Sequence, residues 1–198
     1  MARTQAADYD ERRLKIVETA ARLFARDGFL GASVADVADA CELSKSALYH
    51  YYASKEDILY DVMHSHIVAL DDAARAVVEG PGEATDKLRL LVREFMRLYV
   101  GAADRHKVLL NDLLRLPKPR RQAIVAMQRG LIDTVADLLC EIEPGLRMRE
   151  AERRPAAMLV FGMINWTHVW FDPAGAVSAE ALADMAVDLT LGGLKQAV

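Results

Sequence analysis

Residues 33 to 55 read SVADVADACELSKSALYHYYASK, and the polar side chains of this stretch fall where they could meet a nucleic acid. Val34, Val37, Ala38, Leu43 and Leu48 are spaced to hold two short helices together across a tight turn. With that apolar side packed, Lys45, Ser46, Ala47, Tyr49 and His50 face outward from the second helix. Ammonium, hydroxyl and imidazole groups suit phosphate oxygens and base edges, and a helix offered this way fits the major groove of duplex DNA. An ordinary helical hairpin with a solvated polar face shows the same pattern, and spacing alone leaves the two open. A helical adaptor that binds protein through the 45–52 face is a further rival, separable by operator binding in a gel shift.

A second constellation lies in residues 155–171, which carry no formal charge. Met158, Leu159, Val160, Phe161, Met163, Ile164, Trp166, Val169 and Trp170 make this segment apolar almost all round. A helix of that kind must be buried on every side, so one face is expected on its own core and another against a partner subunit. Gly162 would let two backbones approach. A central helix of a monomer is the alternative. Asn165 and His168 are three apart on one side of the segment and need hydrogen-bond partners. With Trp166 and Trp170, and with Phe95, Tyr99, Met127 and Leu131 opposite, they could line a ligand cavity of apolar walls and few polar groups. A satisfied core Asn and His would look the same at this stage.

Other chemistry finds little support. There is no Gly-rich phosphate loop, no GxSxG and no pair of carboxylates on a hydrophobic helix face, so no catalytic role is expected. His64 and His66 are two apart and diverge on a helix, so neither a metal site nor a cofactor is expected. Cys41 and Cys140 form no CxxC pair and read as packing thiols. The net charge is −4, and residues 1–59 hold eight Lys/Arg against ten Asp/Glu. Any DNA binding must therefore come from local geometry, with modest nonspecific affinity and strong salt dependence. Arg3, in a flexible N-terminal arm, could reach a minor groove, and a disordered tail without a role is the alternative.

The elements that would position these residues are helices. Gly and Pro cluster at a few points, and no stretch alternates at period two. Leu14, Val17, Ala20, Ala21 and Phe24 mark a first helix over 9–26, stopped by Gly28. Ser33 and Ser44 are N-caps for a second helix and a third over 45–51. A fourth opens at 54–57 and runs to the Gly80-Pro81-Gly82 break. Others are expected over 83–103, 105–116, 118–142, 155–171 (with Pro155 in the first turn) and after Ser178, about nine in all. The polar N-terminus shows no secretory signal, and the longest uncharged run, 17 residues, falls short of the roughly 20 that a membrane span needs. A cytoplasmic protein without membrane association is the expectation.

The segment Leu43-Ser44-Lys45-Ser46-Ala47-Leu48-Tyr49-His50-Tyr51-Tyr52-Ala53-Ser54-Lys55-Glu56 resembles the DNA-binding signature of TetR-type transcriptional regulators. Ala20-Ala21, Leu23-Phe24, Gly28-Phe29 and Ser33-Val34 with Val37-Ala38 extend the match upstream. The departures are Glu42 for the usual turn Gly, Ala47 for Thr, Tyr52 for Phe and Ala53 for Pro. The resemblance implies an all-α fold, with a three-helix DNA-binding head over 1–59 and a ligand-binding and dimerisation body over 60–198. It implies a homodimer on a palindromic double-stranded operator, released by a small-molecule effector, with the fourth helix as the lever. Tyr49, His50 and Lys55 would then anchor phosphates, Ser33, Ser44 and helix N-termini would add polar contacts, and Lys45, Ser46 and Ala47 would meet bases. Toward the end, Phe161-Gly162-Met163-Ile164-Asn165-Trp166, Trp170-Phe171 with Pro173 and Gly175, and Leu191 with Gly193-Leu194 look like the subgroup that controls fatty-acid, steroid or aromatic-acid catabolism. That likeness implies an acyl-CoA effector, and Arg115, Arg120, Arg121, Arg129, Arg147, Arg149, Arg153 and Arg154 could offer sites for its phosphates, a solvated charged face being the alternative. An efflux-type repressor that binds a lipophilic or cationic drug is the alternative.

Overall fold

The computed structural model describes residues 2–196, and all regular structure among them is helical. The order is α1 (Ala2–Gly31), α2 (Val34–Ala40), α3 (Lys45–Tyr49), α4 (Lys55–Glu79), α5 (Ala84–Gly101), α6 (Ala103–Asn111), a 3₁₀ turn (Leu113–Arg115), α7 (Lys118–Ile142), α8 (Gly145–Met148), α9 (Glu150–Asn165), α10 (Thr167–Trp170) and α11 (Ala179–Gln196). The helices beyond the nine expected are the single turns α8 and α10. None of the described helices is long and apolar enough to cross a membrane.

The chain forms two compact units. A head comprises residues 1–66 and 104–124; a body comprises 67–103 and 125–198. Sequence placed a single boundary after residue 59, which left no room for 104–124 in the head. Three side-chain contacts show why it belongs there: Arg105 pairs with Glu18 at 3.5 Å, Arg120 pairs with Asp57, and His106 meets His66 at 3.2 Å.

Within the head, Ile16, Val17, Ala20, Ala21 and Phe24 bury the inner stripe of α1, while Leu14, expected beside them, is half-exposed. Gly28 ends the regular part of α1 because its φ of 74° is open to glycine and strained for other residues. The helix begins at Ala2, so the expected flexible arm is helical backbone; the Arg3 side chain lies outside the described residues.

Within the body, α5 packs along α11. Leu88, Leu91, Val92, Phe95 and Met96 follow the 3.6-residue period and are buried on α5, as Ala183 and Val187 are on α11. Arg89 and Arg93 clasp Asp184 and Asp188 at 2.6–3.3 Å beside this seam. The segment expected as one helix over 155–171 differs at both ends. It starts at Glu150 with Pro155 inside it, because Arg153 and Arg154 find acidic partners and extend the helix N-terminally. It stops at Asn165, where the Thr167 hydroxyl donates to the Ile164 carbonyl at 2.6 Å and α10 starts anew.

Candidate nucleic-acid interface

The α2–turn–α3 unit is held by caps at its starts and by apolar residues inside. Ser33 Oγ accepts from the Asp36 amide at 3.1 Å, and the Asp36 carboxylate accepts from the Ser33 amide at 2.7 Å. This reciprocal box satisfies amides at the start of α2, and the Ser33 backbone hydrogen bond holds the Asp36 carboxyl below its ordinary pKa. Ser44 Oγ does the same for α3, accepting from the Ala47 amide at 3.1 Å. Between the helices Glu42 has a φ of 59°, so the turn is left-handed at a residue with a β-carbon. Val37, Ala38 and Leu48 are fully buried beneath the pair.

Packing Leu48 inward turns the rest of α3 outward. Ser44, Lys45, Ser46, Tyr49 and His50 are exposed and Ala47 is partly so, which brings six of the eight residues expected to meet DNA onto one surface. Ser33 is exposed as well, but its amide is already taken by Asp36, so only its hydroxyl hydrogen remains to offer. Lys55 departs most from expectation. Its Nζ donates to the carbonyls of Phe29 at 2.6 Å and Ala32 at 2.8 Å, and lies 4.2 Å from the Phe29 ring centre. The ammonium closes the end of α1 and is not turned to solvent as a phosphate anchor would be. The reason is local: chain ends of helices leave carbonyls without partners, and a cation satisfies them well.

The exit from α3 is fastened more firmly than sequence suggested. Tyr52, buried, donates its hydroxyl to Asp61 and accepts from Arg13 Nε at 3.2 Å, while Arg13 and Asp61 pair at 2.9 Å. Burial and the Asp61 hydrogen bond push the Tyr52 hydroxyl pKa up. Tyr51 stacks on Tyr9 of α1, with ring centres 4.8 Å apart. Ser54 caps α4 through Asp57, whose carboxyl stays below its ordinary pKa; burial acts to raise it, and hydrogen bonds from Ser54 and Arg120 outweigh that.

In the body, the residues expected around a ligand divide. Phe95, Tyr99 and Leu131 are buried, and Phe95 lies against both Tyr99 and Phe161 with ring centres 6.3 and 5.8 Å apart. Met127 is partly buried. Asn165 Oδ1 is buried without a hydrogen-bond partner, and His168 Nδ1 lies 2.7 Å from the Asn165 carbonyl oxygen. Trp166 and Trp170 do not join them. They are 62% and 56% exposed, Trp166 at the end of α9 and Trp170 at the end of α10. Of the arginines considered for CoA phosphates, Arg120, Arg149, Arg153 and Arg154 are paired with Asp57, Glu152, Asp137 with Glu150, and Asp133.

Two family models cover the chain. Residues 16–62 match the bacterial regulatory proteins of the tetR family, and residues 81–194 match the tetracyclin repressor-like C-terminal domain. The chain is a TetR-family transcriptional regulator. It is similar to a TetR-family transcriptional regulator from Bordetella parapertussis 12822, 41% identical, with a TM-score of 0.87 over 90% of this chain and 93% of that one. AibR, solved in complex with isovaleryl coenzyme A and operator DNA, is 26% identical, with a TM-score of 0.79 over 90% of this chain and 97% of that one. The transcriptional repressor KstR2 of Mycobacterium tuberculosis is 25% identical over 96% of each chain.

In this TetR-family regulator two departures from the family pattern now have visible consequences. Glu42 takes the left-handed turn position that Gly usually fills, and Tyr52 adds a hydroxyl that reaches both α1 and α4. Arg13 and Asp61 were missed by sequence reasoning; a hydroxyl on a buried ring was the signal, since buried Tyr hydroxyls seek partners. The His66–His106 pair was missed because its members are 40 residues apart.

Proposed function

We propose that this regulator is a homodimeric repressor that leaves a palindromic operator when an acyl-CoA thioester, or a similarly amphipathic carboxylate derivative, binds the body. The observation that carries the DNA-binding part is the exposed row Lys45, Ser46, Tyr49 and His50 on a capped and buried scaffold. Lys45, Ser46 and Ala47 meet base edges, Tyr49 and His50 meet phosphates, and Ser33 and Ser44 add hydroxyls at the helix starts. Lys55 supports this surface from inside.

The dimer reading rests on the outer faces of α9 and α11. Met158, Leu159, Met185 and Leu189 are exposed there, with Trp166 exposed just past the end of α9, and a groove of about 530 Å³ runs between α8, α9 and α11. A β-carbon built on Gly162, Gly192 or Gly193 would meet nothing within 4 Å. Apolar faces of this size beside open glycines suit close packing with a second copy. Trp166 thereby changes role, from cavity wall to subunit contact.

The ligand reading keeps Phe95, Tyr99, Met127 and Leu131 as apolar walls and Asn165 with His168 as polar groups. An unpartnered buried amide oxygen is costly, and an amide that turns over offers either acceptor or donor, so Asn165 is suited to a thioester carbonyl. The resemblance to AibR, crystallised with an acyl-CoA, supports the same class. Arginines already paired with acids are weaker candidates for the CoA phosphates than Arg129 and Arg147, which are exposed in the body. The test is a thermal-shift and gel-shift panel of short, long, aromatic and steroid-derived CoA esters beside their free acids. A ligand present at a hundredfold excess over its dissociation constant stabilises the folded state by about 2.7 kcal/mol. Stabilisation together with operator release by a thioester supports the reading. Release by a lipophilic cation, with every thioester inert, replaces it with the efflux-type reading.

A further inference from the structure

We propose that Tyr52 is a positioning residue for operator recognition, its hydroxyl fixing the exit of the recognition helix to the two long helices of the head. The inference rests on the DNA-binding reading and adds a residue that touches no DNA.

Helix α3 has five residues, too few to hold a direction by its own hydrogen bonds. Its start is set by the Ser44 cap and its middle by buried Leu48. Its end is set three residues later, where the Tyr52 amide donates to the Leu48 carbonyl at 3.1 Å and the ring is only 6% exposed. From that ring the hydroxyl donates to Asp61 of α4 and accepts from Arg13 of α1 at 3.2 Å, with the Arg13 guanidinium carbon 5.6 Å from the ring centre. The adjacent Tyr51 reaches α1 independently by stacking on Tyr9. Two consecutive tyrosines therefore tie α3 to α1, and the second also ties it to α4.

The consequence concerns discrimination more than affinity in general. Hydrogen bonds to base edges weaken steeply with angle and distance, whereas attraction to phosphates tolerates small displacements. Loosening the exit of α3 should thus cost base reading while leaving nonspecific binding in place. Tyr52→Phe isolates the hydroxyl: the ring still fills its site, and Asp61 keeps Arg13 at 2.9 Å, so no buried charge is stranded.

The experiment begins with an operator recovered by wild-type protein from random-sequence DNA. Affinities for that operator and for an unrelated duplex are then compared at equal salt, well below the melting temperature. Tyr52→Phe should weaken operator binding by up to about 10-fold, the ceiling that one hydrogen bond sets, with nonspecific affinity and salt slope unchanged. Asp61→Asn, which weakens the same hydroxyl's partner, should lower the ratio of specific to nonspecific affinity in the same direction, and the double variant should lose little more than either one. A lowered melting temperature with an unchanged ratio would make Tyr52 a stability residue only and overturn the proposal. A wild-type protein that selects no sequence overturns the DNA-binding reading and this proposal with it, whereas an unchanged ratio overturns this proposal alone.

Discussion

His66 and His106 are each 2% exposed, and the His66 Nε2 to His106 Nδ1 distance of 3.2 Å makes one imidazole the donor and the other the acceptor. Burial, with the nearby Arg105 charge, lowers the His66 pKa from 6.5 to about 4. Unfolded chains bind a proton at this residue below pH 6.5 and the folded protein does not, so the stability it contributes is complete above pH 6.5 and is lost as pH falls toward 4. A gap of that size corresponds to about 3 kcal/mol. Denaturant titrations at pH 7.5, 6 and 5 should show this loss, and His66→Gln, which hydrogen-bonds but does not titrate, should flatten it. Equal pH dependence in the two proteins would assign the acid sensitivity to other groups.

Elements were legible in the sequence where a single residue type does one local job. Ser33 and Ser44 cap α2 and α3 as their positions implied, and Gly28 stops α1. The outward row on α3 followed from its apolar spacing. What stayed hidden either carries no local marker or depends on partners far along the chain. No Gly or Pro marks the break between α9 and α10, which Thr167 makes by bonding back to Ile164. For Lys55 the family resemblance implied a phosphate contact, and only the fold brings it to carbonyls 23 and 26 residues away. This gives a prediction for the junction of α1 with α4. Lys55→Met keeps an apolar stem over Phe29 and removes both hydrogen bonds, so stability should fall by about 1–3 kcal/mol while the salt slope of operator binding is unchanged. A slope reduced by about one at unchanged stability would return Lys55 to the phosphate contacts.

On the scale of the whole molecule, the apolar composition of 155–171 foretold burial on all sides, and one protomer buries only part of it. Ala157, Val160, Phe161 and Ile164 face the body core, while Leu159 remains 71% exposed. A second copy would resolve the difference. Gly162→Glu is a suitable probe because Gly162 is exposed and a β-carbon built on it meets nothing within 4 Å in the protomer, so the monomer should fold and melt normally while the dimer is lost. Because the head, residues 1–66 and 104–124, is nearly neutral, with fourteen Lys/Arg against thirteen Asp/Glu, one head alone should bind DNA weakly, and two held at fixed spacing are needed for an operator. The most direct measurement is selection from random-sequence DNA with wild-type protein and with Gly162→Glu side by side. Wild type should enrich an inverted repeat whose half-sites lie about one helical turn, roughly 34–36 Å, apart, and the variant should enrich none. Failure of wild type to enrich any sequence, or enrichment of the same repeat by a variant shown to be monomeric by sedimentation, would contradict a two-headed DNA-binding repressor.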